Sequence, residues 1–343
     1  DVSLNICRWT FPGTWAKNIA TSWRISPDIR PHWSSVKRII ELNIPLSAYC
    51  RDGHYNDMDM LEMGRGLKPN EEVVHFGMWC MMSSPLLIGC DMTKIKPATM
   101  DLLKNKELIA INQDPLGLQA YPIMSNGDTY VLVKDIIEER GKTRAVALYN
   151  ASDTIAHFSV PISELEFAGK VKLRNLITHQ NMKPVKDSIV ATLPAHSVLI
   201  MKAEAQQRIE PSRYEAEWGY LPCYDNLGKS KRQVLYANNP DASCGMMVSY
   251  LGGRKENLLR WDKVYSEKGG NYDMLITYLP AEHRGLQVSI NGKTIVVDNL
   301  KTTGKLTTVT VPVQLTAGYN IIEIGNPYAW AMDIDKFELK AKK

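Results

Sequence analysis

The chain has 343 residues, 44% of them hydrophobic and 23% charged, with a formal net charge of +4. That length divides into two or three units of roughly 100–200 residues, and the small, dispersed charge excludes an extended nucleic-acid patch; the local basic run Lys229 to Arg232 reads as a solvated turn. No apolar run reaches the roughly 18 residues of a membrane helix, and the six cysteines contain no C-x-x-C pair, so their spacing gives no zinc motif. From the N-terminus, Val2–Cys7 reads as a short buried strand, a helix follows over Thr14–Thr21, and Ser22–Ile25 reads as a second strand. Val36, Ile39, Ile40 and Leu42 recur at helical spacing in a helix that Asp28 or Ser34 can cap. The apolar run Leu46–Tyr49 predicts a third strand, Asn70-Glu71-Glu72 opens a strong helix, and Leu86–Gly89 predicts a fourth buried strand. Helices near 97–105 and 107–111 complete the segment. Strand–helix alternation of this kind argues for parallel β/α units.

From Tyr121 the pattern changes to short alternating runs at 129–134, 144–149, 155–160, 171–175, 188–191 and 197–201, separated by Gly, Asn, Asp and Pro. These predict an antiparallel β-sandwich over 119–204. Ala205–Arg208 reads as a linker, and strand-like runs from Arg213 to Leu339 mark a third domain over 212–343. Cys80 and Cys90 sit in apolar surroundings and read as buried thiols, while Cys223 and Cys244 could pair in an oxidising compartment.

Three blocks are informative together: Tyr55-Asn56-Asp57-Met58-Asp59-Met60-Leu61, Pro85-Leu86-Leu87-Ile88-Gly89-Cys90-Asp91, and Ile111-Asn112-Gln113-Asp114-Pro115-Leu116-Gly117. In this order and spacing they closely resemble the family 27 glycoside hydrolases, whose best-known members are α-galactosidases. The resemblance implies a multidomain chain: residues 1–118 as the last four β/α units of a (β/α)8 TIM barrel, followed by the β-sandwich. It implies a retaining exo-hydrolase acting on terminal α-linked galactose, with no cofactor for catalysis. It also implies that the barrel's first half, with the nucleophilic Asp of a Lys-x-Asp segment, lies upstream of Asp1; this chain alone is then expected to be inactive and to need that half as a partner. A secreted or periplasmic location fits the resemblance, and no leader is visible because the chain opens at Asp1 inside an apolar run.

Ser22-Trp23-Arg24-Ile25-Ser26-Pro27-Asp28-Ile29 matches the family segment carrying the general acid/base, which gives Asp28 that role; helix capping is the alternative. Arg24 would face the same cavity, with a rigid fork suited to a sugar hydroxyl or a carboxylate. Asp59 would accept hydrogen bonds from sugar hydroxyls, Met60 would lie against the ring, and Asp57 reads as a buried structural acceptor. Cys7-Arg8-Trp9 corresponds to a segment often reading Cys-Glu-Trp. There, bulky Arg8 and Phe11 would favour a free sugar 2-hydroxyl, and Trp9 could stack on a sugar face or pack in the barrel rim.

The third domain resembles β-jelly-roll carbohydrate-binding modules of the family 6 and 35 type, which often hold a calcium between acidic residues of their first and last strands. That implicates Glu215, Glu217 and Asp335 as oxygen ligands; exposed acidic residues on edge strands are the alternative. Tyr328 and Trp330 could form a stacking platform, or Trp330 a core residue. A related β-L-arabinopyranosidase and a carbohydrate-binding remnant without catalysis stay open as alternatives.

Overall fold

The structure, a computed structural model, describes residues 2–225 and 233–342; the basic run at 229–232 lies outside the described residues. The chain divides into two compact units, Asp1–Ile209 and Glu210–Lys343.

The first unit opens with three short strands, β1 (Asn5–Ile6), β2 (Ser22–Arg24) and β3 (Tyr55–Asp57), paired in parallel in that order. Between β2 and β3 lies α1 (Trp33–Asn43), whose Val36, Ile39 and Ile40 are buried as the helical spacing predicts. The expected strand at Leu46–Tyr49 is instead a 3-10 helix over Ile44–Tyr49. Pro45 explains this: its fixed φ and missing N–H favour the first turn of a helix over a ladder position. Parallel pairing passes to Tyr55–Asp57, inside the first motif block.

Downstream, α2 (Pro69–Met81) is buried nearly all round. Pro69 occupies its first position, and the Glu71 carboxylate accepts the Lys68 N–H at 2.9 Å, satisfying one of the orphan donors of the first turn. The expected fourth buried strand, Leu86–Gly89, is reduced to one parallel bridge between Leu61 and Ile88, and Leu87 and Ile88 are exposed. The segment ends in α3 (Pro97–Leu103) and α4 (Lys106–Asn112), the latter capped by the Asn105 side chain.

The sandwich that follows comprises β4 (Tyr121–Asn126), β5 (Thr129–Asp135), β6 (Thr143–Asn150), β7 (Ala156–Pro161), β8 (Phe167–Asn175), β9 (Gln180–Asn181), β10 (Ser188–Leu193) and β11 (Ser197–Arg208). Its large sheet has the order β4-β5-β6-β11-β8-β9, and β10 pairs with β7. Ala205–Arg208 is no linker: it extends β11, pairing through a bulge with β8 down to Arg208 opposite Phe167. Buried Ala203 and Ala205 keep the inward alternation going, which the polar Gln206-Gln207-Arg208 disguises in sequence.

Two contacts lock the helical segment to this sheet. A Cβ at Gly77 of α2 would come within 2.5 Å of Ile200 in β11, so glycine permits the close approach. The wholly buried Lys134 of β5 donates to the Cys80 carbonyl at 3.2 Å, the Ser83 hydroxyl at 2.8 Å and the Ile111 carbonyl at 2.6 Å. Burial pushes its ammonium down to about 8.

The second unit is built from two antiparallel sheets. The first contains β12 (Arg213–Glu215), β13 (Leu235–Asn238), β14 (Met246–Ser249), β16 (Gly270–Leu279), β19 (Thr307–Leu315) and β21 (Asp333–Ala341). The second contains β15 (Leu259–Ser266), β17 (Gln287–Ile290), β18 (Lys293–Val296) and β20 (Gly318–Gly325). They face each other across a shared core: Trp261 of β15 meets Phe337 of β21 edge-on at 4.8 Å between ring centres.

Candidate active site

The carboxyl ends of β2 and β3 bring Arg24, Asp28 and Asp59 together. Arg24 is the last residue of β2 and its guanidinium is buried. One Nη donates to Asp59 Oδ2 at 2.5 Å and to Asp28 Oδ1 at 3.1 Å, so a single cation spans both carboxylates. Asp59 is held from several sides: its Oδ2 also accepts the Ile29 N–H at 2.8 Å, and its Oδ1 the Met60 N–H at 2.7 Å. Its carbonyl takes the Trp79 indole N–H at 2.8 Å. Asp59 has φ 79°, a left-handed conformation costly for a residue with a Cβ, here fixed by those donors.

Asp57 is buried and accepts from Asn5 Nδ2 and from the Asp59 N–H, both at 2.8 Å. Burial pushes its carboxyl above the usual range, with the hydrogen bonds opposing. Trp23 of β2 donates its indole N–H to Asn56 Oδ1 at 2.8 Å, tying the two strands beneath the carboxylates.

Asp28 stands apart from this held set. Its side chain is 73% exposed, and it caps nothing: α1 starts at Trp33 with His32 in the N-cap position. It opens onto a cleft of about 520 Å³ lined by Trp9, Pro27, Asp28, Arg30, His32, Ser34, Ser35 and Arg38. Trp9 is 61% exposed with φ 61°, so its indole does not pack into a core. Arg30 and Arg38 add positive charge that the motif did not signal, since they lie after it, Arg38 within α1.

Arg8 is exposed and is not among the residues lining this cleft. Phe11 does not crowd a sugar 2-position as expected; it is buried against Tyr49 and Trp23, with ring centres 4.7 and 6.2 Å away. Met60 is half-buried, and its thioether sits where a Cβ at Gly89 would be 2.5 Å from Sδ, so the glycine of the second motif block leaves room for it.

In the second unit, Glu215 and Glu217 are wholly buried and Asp335 nearly so, which overturns the reading of exposed acidic residues on strand edges. Ser243 links two of them: its hydroxyl donates to Glu215 and lies 3.2 Å from Asp335 Oδ1, while its N–H donates to the same oxygen at 2.9 Å. Arg213 pairs with Glu215 at 3.0 Å. Burial pushes both glutamates above the carboxylate range, Glu217 further because Glu215 is beside it. The Cys223–Cys244 pairing is not made. Both thiols are free; Cys223 reaches the Glu256 carbonyl at 3.2 Å, and Cys244 is buried against the two glutamates. Cys80 is buried as expected, whereas Cys90 is only half-buried. Tyr328 is 88% exposed, and half-buried Trp330 bridges to Gly252 with its ring over Gly253.

Residues 12–114 match the family model described as alpha galactosidase A, and residues 124–203 match the alpha galactosidase C-terminal beta sandwich domain. The chain is 36% identical over 202 residues to alpha-galactosidase 2 of Arabidopsis thaliana, covering 57% of this chain and 50% of the relative. It is 38% identical over 201 residues to the alpha-galactosidase of Coffea arabica, covering 57% and 52%. The crystal structure of alpha-galactosidase I from Mortierella vinacea superposes with a TM-score of 0.54 at 27% identity, covering 57% of this chain and 56% of that one. The chain thus spans about half the length of the curated relatives it matches.

Proposed function

The chain belongs to the α-galactosidase family of glycoside hydrolases, and on that premise we propose that it supplies the acid/base side of a retaining α-galactosidase site. The observation that carries this reading is Arg24, whose guanidinium bridges a held carboxylate, Asp59, and an exposed one, Asp28, at the mouth of an open cleft. Retaining hydrolysis needs one carboxylate to attack the anomeric carbon while another protonates the leaving oxygen and then deprotonates water. Asp28 suits the second task, since it faces solvent and its partner Arg24 can orient it without enclosing it. Asp59 is immobilised against the Arg24 guanidinium, which suits anchoring of sugar hydroxyls by hydrogen bonds to its carboxyl. Trp9 offers an exposed aromatic face to the same cleft.

The nucleophile is assigned to a complementary half barrel. Three strands in parallel, with apolar surface open beside them, support reading 1–118 as the last four units of a (β/α)8 barrel. The two-sheet second unit is read as a jelly-roll carbohydrate-binding module, with exposed Tyr328 as its stacking residue. The test is complementation. The chain is mixed or co-expressed with the first four β/α units of a family member, and release of galactose from an α-galactoside with a sugar leaving group, which needs protonation, is followed. Turnover that needs both pieces and fails with Asp28→Asn supports the assignment; turnover indifferent to Asp28→Asn refutes it.

A further inference from the structure

The buried acidic cluster of the second unit contains a thiol, and that changes what it can hold. Glu215, Glu217 and Cys244 each present a ligand atom within 4.8 Å of the others, and all three are buried. Both carboxylate oxygens of Glu217 are buried without a hydrogen-bond partner. An acidic side chain so placed costs free energy unless something compensates it. Arg213 and Ser243 serve Glu215, but neither is bonded to Glu217 oxygens. We propose that Glu215, Glu217 and Cys244 form a binding site for a thiophilic divalent cation of the zinc class, not for calcium.

The donor set decides between the two ions. Calcium takes about six to eight oxygen ligands, and a sulfur within the ring of donors occupies a position from which calcium gains little. Two carboxylates and one thiolate match the mixed O/S preference of zinc, which binds oxygen at about 2.0–2.2 Å and sulfur at about 2.3 Å. Such bonds set ligand atoms within about 4 Å of one another, so small side-chain rotations close the set around an ion. On binding, the Cys244 proton leaves to solvent and the thiolate joins the two carboxylates as ligands. Asp335 and Ser243 form the outer ring: Ser243 holds Glu215 by its hydroxyl and Asp335 by its N–H, so the carboxylates are oriented before the ion arrives. Ser243 is itself half-buried on the turn before Cys244. Cysteine spacing does not reveal this site because its ligands come from the start of the unit and from the β13–β14 turn.

The full chain, stripped with chelator, is titrated with cobalt(II) as a spectroscopic stand-in for zinc, and then with zinc and calcium in competition. One ion per chain, a sulfur-to-cobalt charge-transfer band that Cys244→Ser removes and Cys7→Ser leaves, and displacement by zinc but not by a large excess of calcium are expected. Glu217→Gln, which keeps the thiol, weakens zinc binding at least about tenfold; circular dichroism confirms that each variant is folded. A band that survives Cys244→Ser, calcium competing on equal terms with zinc, zinc affinity unchanged by Glu217→Gln, or no stoichiometric ion would each overturn the proposal.

Discussion

Asp28 and Asp59 are both carboxylates touching one arginine, yet their surroundings prepare them for different work. Asp59 has every oxygen engaged by a donor and a backbone held at φ 79°. Asp28 pairs with Arg24 and keeps its side chain mostly in water. A proton donor must reach a leaving oxygen and exchange its proton afterwards, which only the second arrangement allows. In the complemented enzyme, Asp28→Asn is therefore expected to slow glycosides with poor leaving groups about 10²–10⁴-fold, while activated aryl glycosides lose far less in their first step. Leaving-group dependence of kcat/KM is the measurement, and equal losses for both classes would remove Asp28 from the acid role. The family-like segments single out Arg24, Asp28 and Asp59, and the fold brings those three together around one guanidinium. The segments could not show that Phe11 turns into the core or that Arg30, His32 and Arg38 face the cleft, because side-chain direction in loops carries no sequence period.

At the scale of elements, alternation and helical spacing were reliable where a run was long and misleading where it was four residues. The seven and eight residues of β5 and β6, bounded by turn residues and buried almost throughout, are long enough to specify strands. Leu46–Tyr49 is not, since a short apolar run buries equally well as a 3-10 turn and the preceding proline tips the balance. The join between helices and sandwich was not legible at all, being made by single tertiary contacts. Arg174 of β8 donates to both oxygens of Glu107 in α4 at 2.7 Å. With His179 adding to it, the Arg174 hydrogen bond draws the Glu107 carboxyl down to about 2 from its ordinary 4.5. Because the folded value is the lower one, this contact's contribution is complete above about pH 4.5 and is lost as pH falls toward 2. Denaturant titrations of the first unit between pH 5 and 2 should show Glu107→Gln flattening part of that decline. A variant whose stability falls as steeply as the parent's would mean the pair contributes nothing. The pair is partly exposed, so the effect expected is at most about 1 kcal/mol.

For the whole molecule, the apolar surface left open by the first unit is the property with the largest consequence. Val2, Leu4, Trp15 and Ile19 are exposed around β1, and Leu87, Ile88 and Met92 around the Leu61–Ile88 bridge. Among the described residues, β1 pairs on one side only, with β2. An unpaired edge flanked by large apolar side chains is a template for association. At about 25 cal/mol per Å² of apolar area removed from water, covering even a few hundred Å² offers several kcal/mol to whatever docks there. The buried lock through Lys134 and Gly77 still holds the helices to the sandwich, so the first unit is expected to stay folded while its open surface drives self-association. Sedimentation of the chain should show mass rising with concentration, little affected by salt because the surface is apolar. Replacing Ile19 and Leu87 by lysine should shift it toward monomer, as should adding the complementary half barrel. A chain that remains monomeric at all concentrations and binds no hydrophobic dye would show that this surface is not available, and would weaken the case that a second half barrel covers it.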